Sequence, residues 1–221
     1  MRRAVAERAA GLVEAGMVVG LGTGRTAALV VEAIGRRVSA GLAIVAVATS
    51  ERTADQARAL HIRLVELDEV ARLDLCIDGA DEVDPRLDLV KGLGGALLRE
   101  KLVACAADRL VIVVDDEKRV ARLGDKAPLP VEVVPFGWRH TQQRLRALGL
   151  DPVLRERDGR PLLTDGGHYL LDCGMRAVLD ARALGIAVKA TVGVVEHGLF
   201  LRMASQVFVG TESEVLELRA S

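Results

Sequence analysis

Apolar residues in this chain come in short bursts separated by longer polar stretches with helical spacing. MVVGLG (17–22), IVAVAT (44–49), LDLCID (73–78) and RLVIVVDD (109–116) each have the length of a strand. They are almost continuously hydrophobic rather than alternating, which marks strands covered on both faces. Residues 2–15 and the stretch from the first burst to about residue 39 have helical character. Ser50 and Glu51 open another helix as cap and first-turn acid. LVKGLGGALLREKLVACAA, between the third and fourth bursts, carries a helix from about Gly95 to Ala107, apolar nearly all round and so expected to be buried. Strands alternating with helices predict a parallel sheet with helices on both faces.

The pattern changes near Pro128 and Pro130. LPVEVVPF (129–136) reads as a strand broken by prolines, and WRHTQQRLRALGL as a helix ending at Gly149. A hairpin over RDGRP follows, with YLLDC as its return strand. A further helix runs to about Leu184, AVKATVGVVEHGLF reads as strand, and ASQVFVGTES returns to the first sheet. The expected fold is α/β. A Rossmann-like parallel-sheet domain covers 1–127 plus 200–221, and a smaller α+β, ferredoxin-like insert covers 128–199 and supplies oligomer contacts.

Composition removes several classes. Thirty basic residues against 31 acidic ones leave a net charge of −1, so nothing points to nucleic acid. One Trp, one Tyr and three Phe give no platform for stacking bases. No apolar run approaches the roughly 18 residues of a membrane span, and Glu7, Arg8 and Glu14 interrupt any signal-like start. Cys76, Cys105 and Cys173 are odd in number and far apart, which predicts buried thiols in a cytoplasmic protein and no zinc site. Of the 30 basic residues only five are lysines, which singles out each lysine for inspection.

Three glycine-bearing turns hold the candidate chemistry. GLGTGRTA (20–27) contains Gly22-x-Gly24-x-x-Ala27, a loose dinucleotide fingerprint. A ribose-binding acid should then close the second strand, where this chain has Thr49 and Ser50, with Glu51 just beyond. Thr23 and Thr26 suit a phosphate monoester better, and a ligand-free strand-to-helix turn is a further reading. IDGADEVD (77–84) places Asp78 and Asp81 at a strand's carboxyl end, where α/β sheets bind ligands. They could ligate Mg²⁺, exchange protons with sugar hydroxyls, or simply form the turn. LVKGLGGALLREK (89–101) joins Lys91 to glycines that let a backbone approach a ligand closely. Glu100 then falls on the helical face of Ala96, Leu97, Ala104 and Ala107. A carboxylate there must be paired or protonated, so a salt bridge to an arginine and a general base of raised pKa both fit.

Taken together, GLGTGRTA, ATS (48–50), DGADEVD, KGLGGALLREK, VDDEK ending in Lys118, VEVVPFGW, TDGGH (164–168) and GVVEHGLF resemble the type A ribose-5-phosphate isomerase family, in that family's order. The resemblance implies a cofactor-free, metal-free interconversion of D-ribose 5-phosphate and D-ribulose 5-phosphate by a homodimer or homotetramer. It makes Glu100 the proton acceptor and places Asp78, Asp81 and Lys91 at the substrate's reacting end. Substrate contacts fall to Thr23, Gly24, Arg25, Thr26, Gly79, Ala80, Gly92, Leu93, Gly94 and Lys118. Arg25 stands where the family usually has serine, and MASQVFVG (203–210) and TDGGH also differ in detail. A sugar-phosphate-binding regulatory module, an NAD-dependent oxidoreductase and a coenzyme A transferase with Glu100 as nucleophile are the competing readings.

Overall fold

The computed structural model describes residues 1–175 and 180–219. In chain order the elements are α1 (Arg2–Ala10), β1 (Val18–Leu21), α2 (Arg25–Ser39), β2 (Val45–Ala48), α3 (Glu51–Ala59), β3 (Leu75–Asp78), β4 (Glu82–Val83), β5 (Leu89–Val90), α4 (Leu97–Cys105), β6 (Leu110–Asp115), β7 (Leu129–Val133), α5 (Trp138–Ala147), β8 (Leu150–Leu154), β9 (Glu156–Arg157), β10 (Arg160–Pro161), β11 (Tyr169–Met175), α6 (Ala181–Lys189), β12 (Val194–His197), β13 (Leu199–Phe200), β14 (Ala204–Gly210) and β15 (Val215–Arg219). Among the described residues no helix is long and apolar enough to cross a membrane.

The chain divides into two compact units, Met1–Ala80 with Arg99–Lys118 and Arg202–Ser221, and Asp81–Leu98 with Arg119–Leu201. The first unit is built on a six-stranded sheet of order β15-β14-β6-β3-β1-β2. All its pairings are parallel except that of β15 with β14. The four apolar bursts became β1, β2, β3 and β6, and their side chains are the core. Leu75, Ile77, Val111 and Val113 pack with Val5 and Ala9 of α1 and with Val30 and Ile34 of α2. Burial of each such side chain contributes about 1.5–3 kcal/mol. α1 stops at Ala10 rather than near residue 15. Gly11, a weak helix former, donates to the Glu7 carbonyl, and tighter turns then fold Val13 into the core.

The second unit contains a four-stranded antiparallel sheet of order β12-β7-β11-β8. With α5 and α6 it makes the β-α-β-β-α-β sequence of a ferredoxin-like fold. Three expectations are corrected here. YLLDC is not the return strand of the RDGRP hairpin. That hairpin closes on itself as β9 and β10, and β11 pairs with β7 and β8. α6 runs past Leu184 to Lys189, so the start of AVKATVGVVEHGLF is helical, launched by Asp180 accepting from the N–H groups of Arg182 and Ala183. Residues 81–98 and 119–127 belong to this unit rather than to the larger one. The cause is a third sheet, β13-β5-β4, together with buried Glu82. Its carboxylate accepts from the backbone N–H groups of Gly124 (2.5 Å), Lys126 (2.6 Å) and Ala127 (2.7 Å). The TDGGH turn serves this unit's interior. Thr164 Oγ1 and His168 Nδ1 lie 2.8 and 3.0 Å from Oε1 of Glu132, which is buried on β7.

Candidate active site

The first unit presents its candidate residues where β1 and β3 end. β1 gives way to Gly22, Thr23 and Gly24, and α2 begins at Arg25. Gly24 has φ +118°, a backbone state glycine adopts without strain. At Gly22 the constraint is contact, since an added Cβ would lie 2.2 Å from Asp78 Oδ1. Asp78, the buried last residue of β3, accepts from the backbone N–H of Thr23 (2.9 Å) and of Gly79 (2.7 Å) through Oδ1. The Thr23 hydroxyl is turned inward. It lies 2.7 Å from Thr49 Oγ1, 2.8 Å from Ser50 Oγ and 3.1 Å from Thr53 Oγ1. Thr49 and Thr53 donate in turn to the carbonyls of Leu21 and Gly22. Thr49 and Ser50 of the ATS segment therefore join Thr23 and Thr53 in a buried hydroxyl cluster that fixes the carbonyls of Leu21 and Gly22 at the start of the first turn, a role their residue types did not disclose. Facing outward at the turn are exposed Arg25, half-buried Gly24 and Thr26, and the first N–H groups of α2, a start favourable to an anion.

Glu100 lies on α4, 3 % exposed. Of its neighbours on the predicted face, Ala96, Leu97 and Ala104 are buried as expected, whereas Ala107 is half-buried and lies past the helix, which ends at Cys105. The helix is not buried all round: Leu102 is 51 % exposed, and Cys105 is an exposed thiol rather than a buried one. α4 also starts at Leu97, because Gly95 takes φ +86° and closes a turn on the Gly92 carbonyl. Arg99, next to Glu100, reaches Glu51 at 2.7 Å, and holds that carboxyl below its ordinary range. Lys118 ends a short 3₁₀ turn after β6, half-buried. Among the described residues no group of three or more His, Cys, Asp or Glu is arranged to hold a metal ion.

The second unit holds the rest. Lys91, 2 % exposed, places Nζ 5.5 Å from the ring centre of Phe200, within cation–π range. Its backbone N–H donates to Gly198. Gly92 has φ +106°, and an added Cβ would press on Leu97 at 2.8 Å. Asp81, half-buried, accepts from the Leu93 N–H at 2.9 Å and donates its own N–H to Val90. The two carboxylates of D-G-A-D thus each tie down one glycine turn: Asp78 holds the first and Asp81 the third. Asp84, from the same motif, is structural and closes its own turn by accepting from Arg86 and Asp88. Reading the residues missed Arg155, which donates to the carbonyls of Gly92 (3.1 Å) and Leu93 (3.0 Å). No local pattern marks it, since it lies more than 60 positions from the turn it touches.

A parallel sheet with a carboxylate and a glycine turn beyond its carboxyl strand ends is the layout in which α/β folds bind small ligands. The comparisons make the class specific. Residues 45–214 match the family described as ribose 5-phosphate isomerase A (phosphoriboisomerase A). Ribose-5-phosphate isomerase A of Synechococcus sp. (strain JA-3-3Ab) is 51 % identical, covering 100 % of this chain and 97 % of its own. That of Thermomicrobium roseum is 54 % identical over 96 % and 91 %. Among solved structures, ribose 5-phosphate isomerase A from Methanocaldococcus jannaschii superposes with a TM-score of 0.95 at 39 % identity, covering 99 % of this chain and 97 % of that one. A D-ribose-5-phosphate isomerase in complex with phospho-erythronic acid gives 0.96 at 35 % identity over the same shares. The chain belongs to the ribose 5-phosphate isomerase A family and is an isomerase of the pentose phosphate pathway.

Proposed function

We propose that the enzyme interconverts D-ribose 5-phosphate and D-ribulose 5-phosphate through an enediol, with Glu100 carrying the proton between C1 and C2. The observation that carries this reading is a glutamate 3 % exposed on α4, a few residues past a Lys-Gly-x-Gly-Gly turn. A positioned carboxylate can take a proton from one carbon and return it to the next. Lys91 and the N–H groups of the Gly92–Leu93–Gly94 turn stabilise the oxyanion that forms. Asp81 and Asp78, with Gly79 and Ala80 between them, open the sugar ring and relay protons between oxygens. Gly24, Arg25, Thr26 and Lys118 hold the phosphate, and Thr23 shapes that turn from within. The complex of a solved relative with phospho-erythronic acid, itself a phosphorylated sugar acid, supports a sugar phosphate as the ligand.

The reading uses no cofactor and no metal, and it places the enzyme in the cytoplasm as a homodimer or homotetramer. Phe136, 94 % exposed, is an apolar side chain that a second copy would cover, and sedimentation velocity measures the assembly. The mechanism is tested with ribose 5-phosphate deuterated at C2. Transfer through an enediol lets part of the label escape to solvent during turnover. Complete retention at C1 of the product at every extent of reaction would point to a hydride shift and end the case for a base.

A further inference from the structure

We propose that Arg155, backed by Asp172, is a positioning residue for the isomerisation, fixing the 92–94 turn so that its N–H groups point toward the oxyanion. The proposal rests on the reading above, in which that turn serves the reacting carbons.

The backbone of Arg155 is pinned between strands. Its N–H donates to the Leu170 carbonyl, and its carbonyl accepts from Leu162. The side chain is 13 % exposed. Nε donates to Asp172 Oδ2 at 2.8 Å and Nη2 to Asp172 Oδ1, a fork on a carboxylate held by β11. Nη1, still available, donates to two successive carbonyls, Gly92 at 3.1 Å and Leu93 at 3.0 Å. Successive carbonyls of an extended chain face opposite ways. Here they converge on one donor, at a turn where Gly92 takes φ +106°.

The consequence follows from peptide geometry. In a planar trans peptide the N–H points opposite to the C=O. Anchoring the carbonyls of 92 and 93 on Arg155 therefore turns the N–H groups of 93 and 94 to the far side, as a pair. The first of the pair donates to Asp81 Oδ2, so that side already attracts an oxygen anion. Successive N–H groups facing one way form an anion-binding concavity. A guanidinium on the two carbonyls polarises the same two peptides and strengthens their N–H groups as donors. Stability does not explain the pair, because a mostly buried ion pair is commonly no better for stability than apolar side chains of the same volume. Lysine is no substitute, since one ammonium cannot fork onto a carboxylate and also reach two carbonyls.

The experiment uses the full-length enzyme with Arg155→Lys and, separately, Asp172→Asn. Each variant is followed by amide hydrogen exchange over residues 89–98 without substrate, by kcat and KM for ribose 5-phosphate, and by its melting midpoint. Exchange within 92–96 should rise at least about tenfold, and kcat should fall about 10- to 100-fold, the loss expected when a reacting geometry slips by about 1 Å. KM should move less than about threefold, because the phosphate is held elsewhere. Unchanged exchange in a folded Arg155→Lys variant overturns the role of Arg155. Raised exchange with intact kcat overturns instead the assignment of the turn to the reacting carbons, and with it the catalytic meaning of the clamp. A proportional loss of stability with normal turnover per folded molecule, or failure of both variants to fold, assigns the pair to the fold alone and overturns the proposal.

Discussion

The turns at 22–24 and 92–95 look alike in sequence, and their supports are chemically opposite. Each has at least one glycine of positive φ, Gly24 in the first and Gly92 and Gly95 in the second, each leads into a helix, and each gives one backbone N–H to an aspartate of D-G-A-D. Behind the first turn stands a buried cluster of four neutral hydroxyls, Thr23, Thr49, Ser50 and Thr53. Behind the second stand two ions, Arg155 and Asp172. Neutral hydroxyls fix backbone carbonyls without adding a field, which under the proposed function suits a turn whose own N–H dipoles and surface cations would meet a dianion. Charge behind a peptide makes its N–H a stronger donor, which under the same proposal suits a turn that would face an anion formed only during reaction. Glycine content alone therefore does not distinguish a turn that binds from one that assists chemistry; what lies behind the backbone does.

The hardest test of that division is Glu100→Gln, on the helix that follows the second turn. Removing a positioned base costs roughly 10²- to 10⁴-fold, so kcat should fall that far in a variant that still folds. Full kcat in the folded variant removes the chemical half of the comparison. Gly22→Ala strikes the first turn by contact. A Cβ 2.2 Å from Asp78 Oδ1 and 2.5 Å from its Cα should cost about 3 kcal/mol, the upper part of the overpacking range, read as a lowered denaturant midpoint. Thr23→Val keeps the shape and removes the shared hydroxyl. It should destabilise by about 1–2 kcal/mol, because buried hydroxyl partners lose a hydrogen bond. KM for ribose 5-phosphate should rise with little change in kcat, the reverse of the pattern expected for Arg155.

Smaller effects sharpen the picture at the surface. Arg25→Ser should raise KM by no more than about fivefold, as befits an exposed charge, and an unchanged KM would mean that the arginine points away from the phosphate. Glu51, paired with Arg99, has its carboxyl lowered chiefly by that hydrogen bond and charge. A lowered folded value means its stabilisation is present above the ordinary carboxylate range and is lost as pH falls through the folded value. The melting difference between wild type and Glu51→Gln should therefore be small at neutral pH, shrink with salt, and vanish under acid. Turnover in EDTA should equal turnover without it. A loss that added Mg²⁺ restores would move Asp78 and Asp81 to metal binding.

The sequence by itself determined the parallel strands of the first unit, the Ser50 cap and the buried face that carries Glu100, but not the antiparallel edge strand β15. What it determined follows from periodicity and local propensity, which act over a few residues. It also disclosed the D-G-A-D and K-G-x-G-G segments, because strand-end carboxylates and clustered glycines are local signals. Only the tertiary structure decided which unit residues 81–98 join, since that depends on β5 finding β13, more than a hundred residues away. It decided that Thr23 faces inward, because Thr49, Ser50 and Thr53 lie 26 to 30 positions off. It decided, too, that Arg155 grips Gly92 and Leu93 across more than 60 positions. A guanidinium's reach spans a few ångströms in space, and no pattern along the chain records which carbonyls folding brings within it.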